Sequence, residues 1–550
     1  MQTPSRRTVL RAPFAAVGAG LLGACSTSGS EPRPGPGLAG GRAGIRTEFV
    51  PPGPAGYVSP SGPEVIAVEE ARGSGPVRRF RLTAAESRLD LGGRSVRTWA
   101  YDEAVPGPLV RATVGDVLSL TLSNRLPDAT SLHSHGVRLR CDMDGVPDLT
   151  QKAVPAGADF TYRFVVAHPG TYFLHSHQGL QPDRALYAPL IVDDPDEPLA
   201  YDKEWIVVLD DWLDGVEGST PEQVLDELKP GASGSGMMGS MARGPAGNGA
   251  RPRRPAVHRR PSRSAARESA GPSRLLRDSH SSLLDGMGGS VDYPYYLANG
   301  RLPDNPSVFR CRPGDRIRLR IINAGSETAF RVALGDHKMT VTHTDGYPVE
   351  HQETDALLLG MAERYDVLVT AQDGFFPLVA LPEGKEGRAI AVLRTDNGRG
   401  LPDPDVHPDE LDGKIVPAGR LVPDDDVALD DCEPDRELRI RLTGTMKEYN
   451  WALDHRPYDV RQRHPVQAGE RVRITLINAT DMWHPVHMHG HTFALAGVDS
   501  AGALKDTTIV LPHRKQVIDF DCDNPGLWML HCHNQYHAEA GMMTVIGYED

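Results

Sequence analysis

Residues 531–542 read His531-Cys532-His533-Asn534-Gln535-Tyr536-His537-Ala538-Glu539-Ala540-Gly541-Met542, and upstream lies His484-Pro485-Val486-His487-Met488-His489. A thiolate between two imidazoles, followed by a third imidazole and a thioether, is a donor set for a soft or borderline metal. His484, Cys532, His537 and Met542 together match a blue-copper centre, which takes two His and one Cys in a trigonal plane with a long, weak axial Met. His487, His489, His531 and His533 are left over and call for further ions.

Working outward, the chain repeats itself. Gly115-Asp116 to Asn124, Gly314-Asp315 to Asn323, and Gly469-Glu470 to Asn478 share one pattern: Gly, an acid, then seven residues and Asn. Apolar and polar residues alternate within them, as in Arg316-Ile317-Arg318-Leu319-Arg320-Ile321, the period of a half-buried strand. Nine and eleven residues past the Asn lie His133 and His135 in the first copy and His487 and His489 in the third. In the middle copy those offsets fall on Val332 and Leu334, which bind no metal. A second element, Pro169-Gly170-x3-Leu174-His175-Ser176-His177, matches Pro525-Gly526-x3-Leu530-His531-Cys532-His533. Copies one and three therefore each carry two His-x-His pairs. Side chains at i and i+2 of a strand share a face, so eight imidazoles from two related domains are expected to converge. They exceed what one ion can use, and three copper ions are a sensible occupancy, since magnesium and calcium prefer oxygen donors.

The four clusters, His133-Ser134-His135-Gly136, His175-Ser176-His177, the His484 group and the His531 group, resemble the signature of three-domain multicopper oxidases of the laccase-like and bacterial copper-tolerance type. The resemblance runs over about residues 80 to 548. It implies an all-β fold of three cupredoxin-like Greek-key β-sandwich domains near 76–197, 198–400 and 401–550, and four coppers. His484, Cys532 and His537 would hold the type 1 copper with Met542 axial, and His133 and His487 the type 2 copper. One type 3 copper would take His135, His175 and His533, the other His177, His489 and His531. Relatives take electrons one at a time from a reducing substrate at type 1 and reduce dioxygen to two waters at the trinuclear cluster. The peptide links from Cys532 to His531 and His533 agree, because they join both sites in one short segment. Two residues depart from common family patterns: Ser134 replaces a frequent Trp, and Ala538 stands where several bacterial relatives place Glu, with Glu539 one residue on. Asp144, in Asp144-Gly145-Val146-Pro147, matches the family's acidic residue near the cluster. A buried carboxylate there suits a proton donor; an Asp-Gly tight turn is the alternative reading.

Composition fits. A chain of 550 residues has room for three domains behind a leader. With 57 Gly and 46 Pro it suits a turn-rich β protein. A formal net charge of −14 argues against nucleic acid and favours attraction of cations, copper among them. The N-terminus reads as a targeting signal over 1–25: Ser5-Arg6-Arg7-Thr8-Val9-Leu10 is a twin-Arg motif, followed by a short apolar run. Leu22-Gly23-Ala24-Cys25 resembles a lipoprotein box that would make Cys25 a lipid anchor on the outer face of a membrane; an ordinary signal peptide is the alternative. Residues 26–75 read as a flexible tether. A monomer in the cell envelope is expected.

Cys141, Cys311, Cys432 and Cys522 remain after Cys532 and Cys25 are assigned. An exported protein permits disulfides, with Cys432–Cys522 one option and free thiols the other. Residues 230–290 read as a disordered insertion in the middle domain: Met237, Met238, Met241 and Met287 frame a segment with ten Arg between Arg243 and Arg277 and few apolar residues. Thioethers suit Cu(I), and related copper-tolerance oxidases carry Met-rich segments near this place; an inert linker is the other reading. His258, His280, His337 and His343 are isolated and read as surface or satisfied core residues. The expected function is a copper-dependent oxidase acting on Cu(I) or phenols with dioxygen. A non-catalytic copper protein is weighed against it, and a copper nitrite reductase is disfavoured by the Cys between two cluster His.

Overall fold

The computed structural model describes residues 56–229 and 271–550. The signal, Cys25, most of the tether and Met237, Met238 and Met241 lie outside them. The three repeated segments form eight-residue strands, Val117–Asn124, Arg316–Asn323 and Arg471–Asn478. Each occupies the same place in its sheet. Each pairs in parallel with an earlier strand, respectively Val77–Asp90, Lys203–Trp212 and Arg436–Thr443. Each pairs antiparallel with a later one, Asp159–Val165, Arg364–Thr370 and Lys515–Asp521. The parallel pairs arise because the chain visits the opposing sheet between their two strands; parallel neighbours need a crossover. Six mixed sheets result, two per copy, of four and four, six and five, and six and five strands.

The repeated Asn explains itself in the structure. Asn124 Nδ2 donates to Asp128 O (2.8 Å) and Val154 O (2.9 Å), Asn323 Nδ2 to Thr328 O (2.9 Å) and Leu359 O (3.1 Å), and Asn478 Nδ2 to Met482 O (2.7 Å) and Val510 O (3.0 Å). In every copy this buried amide fixes the loop that leaves the strand, just ahead of the ligand-bearing strand in copies one and three. Satisfying carbonyls that burial would otherwise orphan is what makes the amide worth having.

Three expectations need correction. The Arg316–Asn323 strand is covered on both faces. Arg318 and Arg320 are buried because they pair with Asp366, at 2.9 Å and 2.8 Å, and Arg320 also donates to Thr171 of the first copy (2.8 Å). The tether expected over 26–75 ends earlier. Val58 N bonds Tyr548 O (2.8 Å), and Pro63–Ala71 is a helix started by Pro63, with Val65 buried. Glu69 of that helix accepts from Val165 N (2.7 Å), while Arg72 reaches Asn524 (3.0 Å), so the segment straps the first copy to the third. Residues 271–290 are not disordered. Leu284 packs fully buried with Ala329, Met361 and Trp483, and Ser290 donates to Glu327 through its amide (2.5 Å) and hydroxyl (2.8 Å). Even Arg274, at the end of the Arg-rich run, is buried, with Nε on Ser219 Oγ (2.9 Å). One Leu and a handful of hydroxyls suffice because their partners come from distant strands, which composition does not reveal.

Cys141, Cys311, Cys432, Cys522 and Cys532 are all free thiols. His337 accepts from Gln372 N (3.2 Å) and sits against Gly335 O, and His343 contacts Thr342 and Arg318, so both are satisfied core histidines.

Candidate metal centre

Copies one and three meet directly: Arg138 pairs with Asp523, and Asn524 Nδ2 donates to Leu139 O (3.0 Å). Their ligand-bearing strands face each other across this contact. His133–His135 is a three-residue strand, while His484–Met488, Gly170–His175 and Leu527–Cys532 end within or just before a His-x-His pair. His177, His489 and His533 thus lie just past strand ends, where the chain is freed from the strict two-residue alternation. His537 sits on the short helix Gln535–Ala540, whose N-cap Asn534 accepts from the amides of Tyr536 and His537 (3.1 Å each). Sequence periodicity did not show this helix; Asn534 was its one local signal.

The type 1 candidates form a tight triangle. His484 Nδ1 and His537 Nδ1 are 3.2 Å apart, and Cys532 Sγ is 3.6 and 3.8 Å from them. Donors about 2.0–2.3 Å from one shared ion, at roughly 120° to each other, lie about 3.5 Å apart, so the triangle fits. Thr480 Oγ1 lies 2.8 Å from His484 Nε2 and accepts its proton, which leaves the lone pair on Nδ1. Burial pushes the His484 imidazole down to about 3 and His537 well below its ordinary range. Burial pushes the Cys532 thiol up; as a copper ligand Cys532 would serve as the thiolate, so metal binding there would be coupled to release of its proton. Met542 is fully buried, and its carbonyl accepts from Cys532 N (3.0 Å). Trp451 lies over the pair, its ring 4.3 Å from His537 and 5.4 Å from His484.

The other eight imidazoles converge. Donor atoms of His177, His489 and His531 lie within 4.8 Å of one another, as do those of His133 with His487 and His489, and of His133 with His135 and His175. The His533 ring stands 5.0 Å from that of His135 and 5.3 Å from that of His175. Both members of each His-x-His pair reach the site. Six buried nitrogens, His133 Nε2, His135 Nδ1, His175 Nε2, His177 Nε2, His487 Nε2 and His533 Nε2, have no hydrogen-bond partner among the described residues. Orphans of this kind cost about 1–3 kcal/mol each, on the order of 6–18 kcal/mol for six. The opposite nitrogens are mostly engaged. His133 Nδ1 donates to Asp144 O (2.7 Å), His175 Nδ1 to Ser176 O (2.7 Å), His487 Nδ1 to Asp506 O (2.8 Å) and His531 Nδ1 to Cys532 O (2.9 Å). His489 Nδ1 donates to Asp144 Oδ2 (2.9 Å), so Nε2 of His489 and of His531 present lone pairs to each other at 3.1 Å. Facing lone pairs repel unless a cation lies between. Burial, reinforced by the neighbouring imidazoles, lowers His135, His175, His489, His531 and His533 well below their ordinary range and His177 to about 3. Six of the eight imidazoles, those of His133, His135, His175, His487, His489 and His531, are thus turned lone pair inward, their outward nitrogens held by carbonyls and carboxylates. That is the outer shell metal-binding imidazoles need, so the donor set fits copper.

Asp144 is fully buried and touches both halves of the cluster, at His489 and, 3.2 Å away, at His133 Nδ1. Gly145 follows with φ +83°, so the tight turn is present as well. Glu539 is exposed. Sequence reasoning missed Thr480, Trp451 and Asp506. Thr480 follows the repeated Asn by two residues, where copies one and two have Leu126 and Gly325, a difference visible once the repeats are aligned. Asp506 and Trp451 carry no local signal.

The fold and site define a copper-binding protein of several β domains. Multicopper oxidase family models match residues 83–197, 261–398 and 431–550. The chain is 46% identical to the multicopper oxidase MmcO of Mycobacterium tuberculosis, over 88% of this chain and 90% of that one. It belongs to the multicopper oxidase family and is an oxidoreductase; members bind four coppers of types 1, 2 and 3 and use dioxygen with a reducing substrate. The copper resistance protein A of Escherichia coli is 27% identical over 86% of this chain and 93% of its own length. Among solved structures, Fet3p, a multicopper oxidase that functions in iron import, superposes with a TM-score of 0.68 at 21% identity, covering 86% of this chain and 90% of that one.

Proposed function

We propose that this chain oxidises Cu(I) at the His484–Cys532–His537 centre and reduces dioxygen to water at the eight-histidine cluster: four Cu(I), one dioxygen and four protons give four Cu(II) and two waters. The observation that carries the reading is the segment His531-Cys532-His533, whose central residue belongs to the triangle while both neighbours belong to the cluster. Bound copper supplies the one-electron redox chemistry and the site of dioxygen reduction. The protein supplies the rest. His133 and His487 are assigned to the type 2 ion, His135, His175 and His533 to one type 3 ion, and His177, His489 and His531 to the other. Asp144, buried between His133 and His489, holds both rings and delivers protons.

Cu(I) is favoured as reductant by the burial of the centre. Neither His484 nor His537 is exposed (0% each), and Trp451 covers both, so a bulky phenol has no imidazole edge to lie against. Relatives named copper resistance protein A support the same substrate. Twin-Arg export and a lipid anchor at Cys25 would place the enzyme at the cell envelope, where copper enters. The test is steady-state oxygen uptake with Cu(I) or with a phenol as donor. Cu(I)-dependent uptake at one dioxygen per four electrons supports the reading; uptake with phenols alone turns it to a laccase, and no uptake by copper-loaded protein leaves a copper-binding protein without oxidase activity.

A further inference from the structure

The middle copy contributes none of the expected ligands, yet one of its side chains reaches the histidine cluster. We propose that Arg364, which begins the strand Arg364–Thr370, is a positioning residue of the trinuclear site: it clamps Asp506, and Asp506 turns His135 so that Nδ1 faces the metals. This rests on reading the eight histidines as a copper cluster.

Arg364 is fully buried. Its guanidinium grips Asp506 with two parallel bonds, Nη1 to Oδ1 (2.8 Å) and Nη2 to Oδ2 (2.6 Å), the geometry only Arg provides. Nε donates to Thr171 O of the first copy (3.1 Å), and Nη1 also to Ala362 O (3.0 Å). One planar group therefore ties all three copies together beside the cluster. Asp506 in turn contacts two of the imidazoles: Oδ1 lies 3.1 Å from His135 Nε2, and its carbonyl accepts from His487 Nδ1.

The consequence is visible in the ring orientation. Of the six unpartnered cluster nitrogens, five are Nε2; His135 alone turns Nδ1 inward, because its Nε2 is held by Asp506. Asp506 lies within metal-ligand reach of His135 and His487. With both oxygens engaged by Arg364, it acts as an orienting group instead of a ligand. Gly136, which closes the His133-Ser134-His135-Gly136 signature, has φ +80°, and a Cβ there would lie 2.5 Å from Arg364 Nη2 and collide with Asp506 Oδ2. The glycine clears the space in which the ion pair meets His135.

The test uses the full chain and three variants, Arg364→Gln, Arg364→Lys and Gly136→Ala, loaded with copper identically. Copper per chain, the blue absorption band and the electron paramagnetic resonance signal of the non-blue copper are measured, together with thermal midpoints. Arg364→Gln is expected to keep the blue band while holding the trinuclear ions about 10–100-fold more weakly and changing the non-blue signal. Arg364→Lys, which keeps the charge without the fork, is expected to fall between. Gly136→Ala should repeat the loss with both charges present, and together with Arg364→Lys it decides the matter if Arg364→Gln does not fold. Wild-type retention of trinuclear copper with an unchanged non-blue signal, even alongside a lower thermal midpoint, reduces Arg364 to a structural ion pair and overturns the proposal. A wild-type chain that binds nothing beyond the blue centre overturns the cluster reading itself, which keeps the two failures apart.

Discussion

Replacing Asp144 by Asn separates two roles that the structure superimposes. The carboxylate accepts from His489 Nδ1 at 2.9 Å and lies 3.2 Å from His133 Nδ1, in full burial. An amide oxygen can keep the His489 bond. The amide nitrogen then takes the place of Oδ1 beside His133 Nδ1, whose proton stays on the Asp144 carbonyl (2.7 Å), so the new amide donor finds no acceptor there. A buried donor without an acceptor costs about 1–3 kcal/mol, roughly a factor of 5–150 at about 1.4 kcal/mol per tenfold. If orientation were the whole role, this cost would appear as weaker copper binding, with activity following it. A proton donor contributes about 10²–10⁴-fold in rate, and Asn cannot supply the proton. The expected outcome is reoxidation by dioxygen slowed by about 100-fold or more, with copper content kept and anaerobic bleaching of the blue band by reductant unchanged. Stopped-flow measurement of the two half-reactions, with copper analysis on the same samples, checks this. Equal slowing of both half-reactions, or none, refutes the proton-donor role, and a rate loss matched by copper loss leaves Asp144 an orienting group only.

Cys532→Ser should abolish the blue band and oxidase turnover while the eight-histidine cluster keeps its copper; a surviving blue band would contradict the triangle of His484, Cys532 and His537. Thr480→Val removes the acceptor on His484 Nε2, weakens the imidazole as a donor and should raise the blue-centre potential. One hydrogen bond of about 0.5–1.5 kcal/mol corresponds to roughly 20–65 mV at most, and an unchanged or lowered midpoint in a redox titration would show the contact to be idle. Asn478→Ala should perturb the blue band through Thr480, whose hydroxyl bonds Asn478 Oδ1 (2.8 Å); Asn323→Ala should destabilise the protein without touching the colour, and identical spectra would break the link from strand repeat to metal. Deleting residues 230–270, between the described segments, should cut Cu(I) turnover if its Met residues deliver Cu(I), and unchanged turnover would make the segment a linker. Extending the deletion to 290 should cost folding instead, through loss of Leu284 and Ser290, as thermal melting would reveal.

The sequence by itself determined the strands and the donors. An alternating run closed by a buried Asn is a local instruction, and it recurs three times, so the three strands Val117–Asn124, Arg316–Asn323 and Arg471–Asn478 were legible from pattern alone. His133, His487 and the other cluster residues were legible for a related reason: a metal needs lone pairs at fixed spacings, and the repeat supplies the spacings twice. What only the tertiary structure decided is how distant groups finish the site. Arg318 and Arg320 looked like a solvated face and are buried, because Asp366 and Thr171 arrive from elsewhere. Residues 56–75 read as part of a flexible tether and 271–290 as part of an insertion too poor in apolar surface to order, yet a few side chains per segment suffice when the partner surface is already built. Arg364 and Asp506 lie 142 positions apart, and neither stands in a motif. Their charges neutralise each other only when the three copies close, and only then does His135 acquire the orientation that its neighbours in sequence cannot impose.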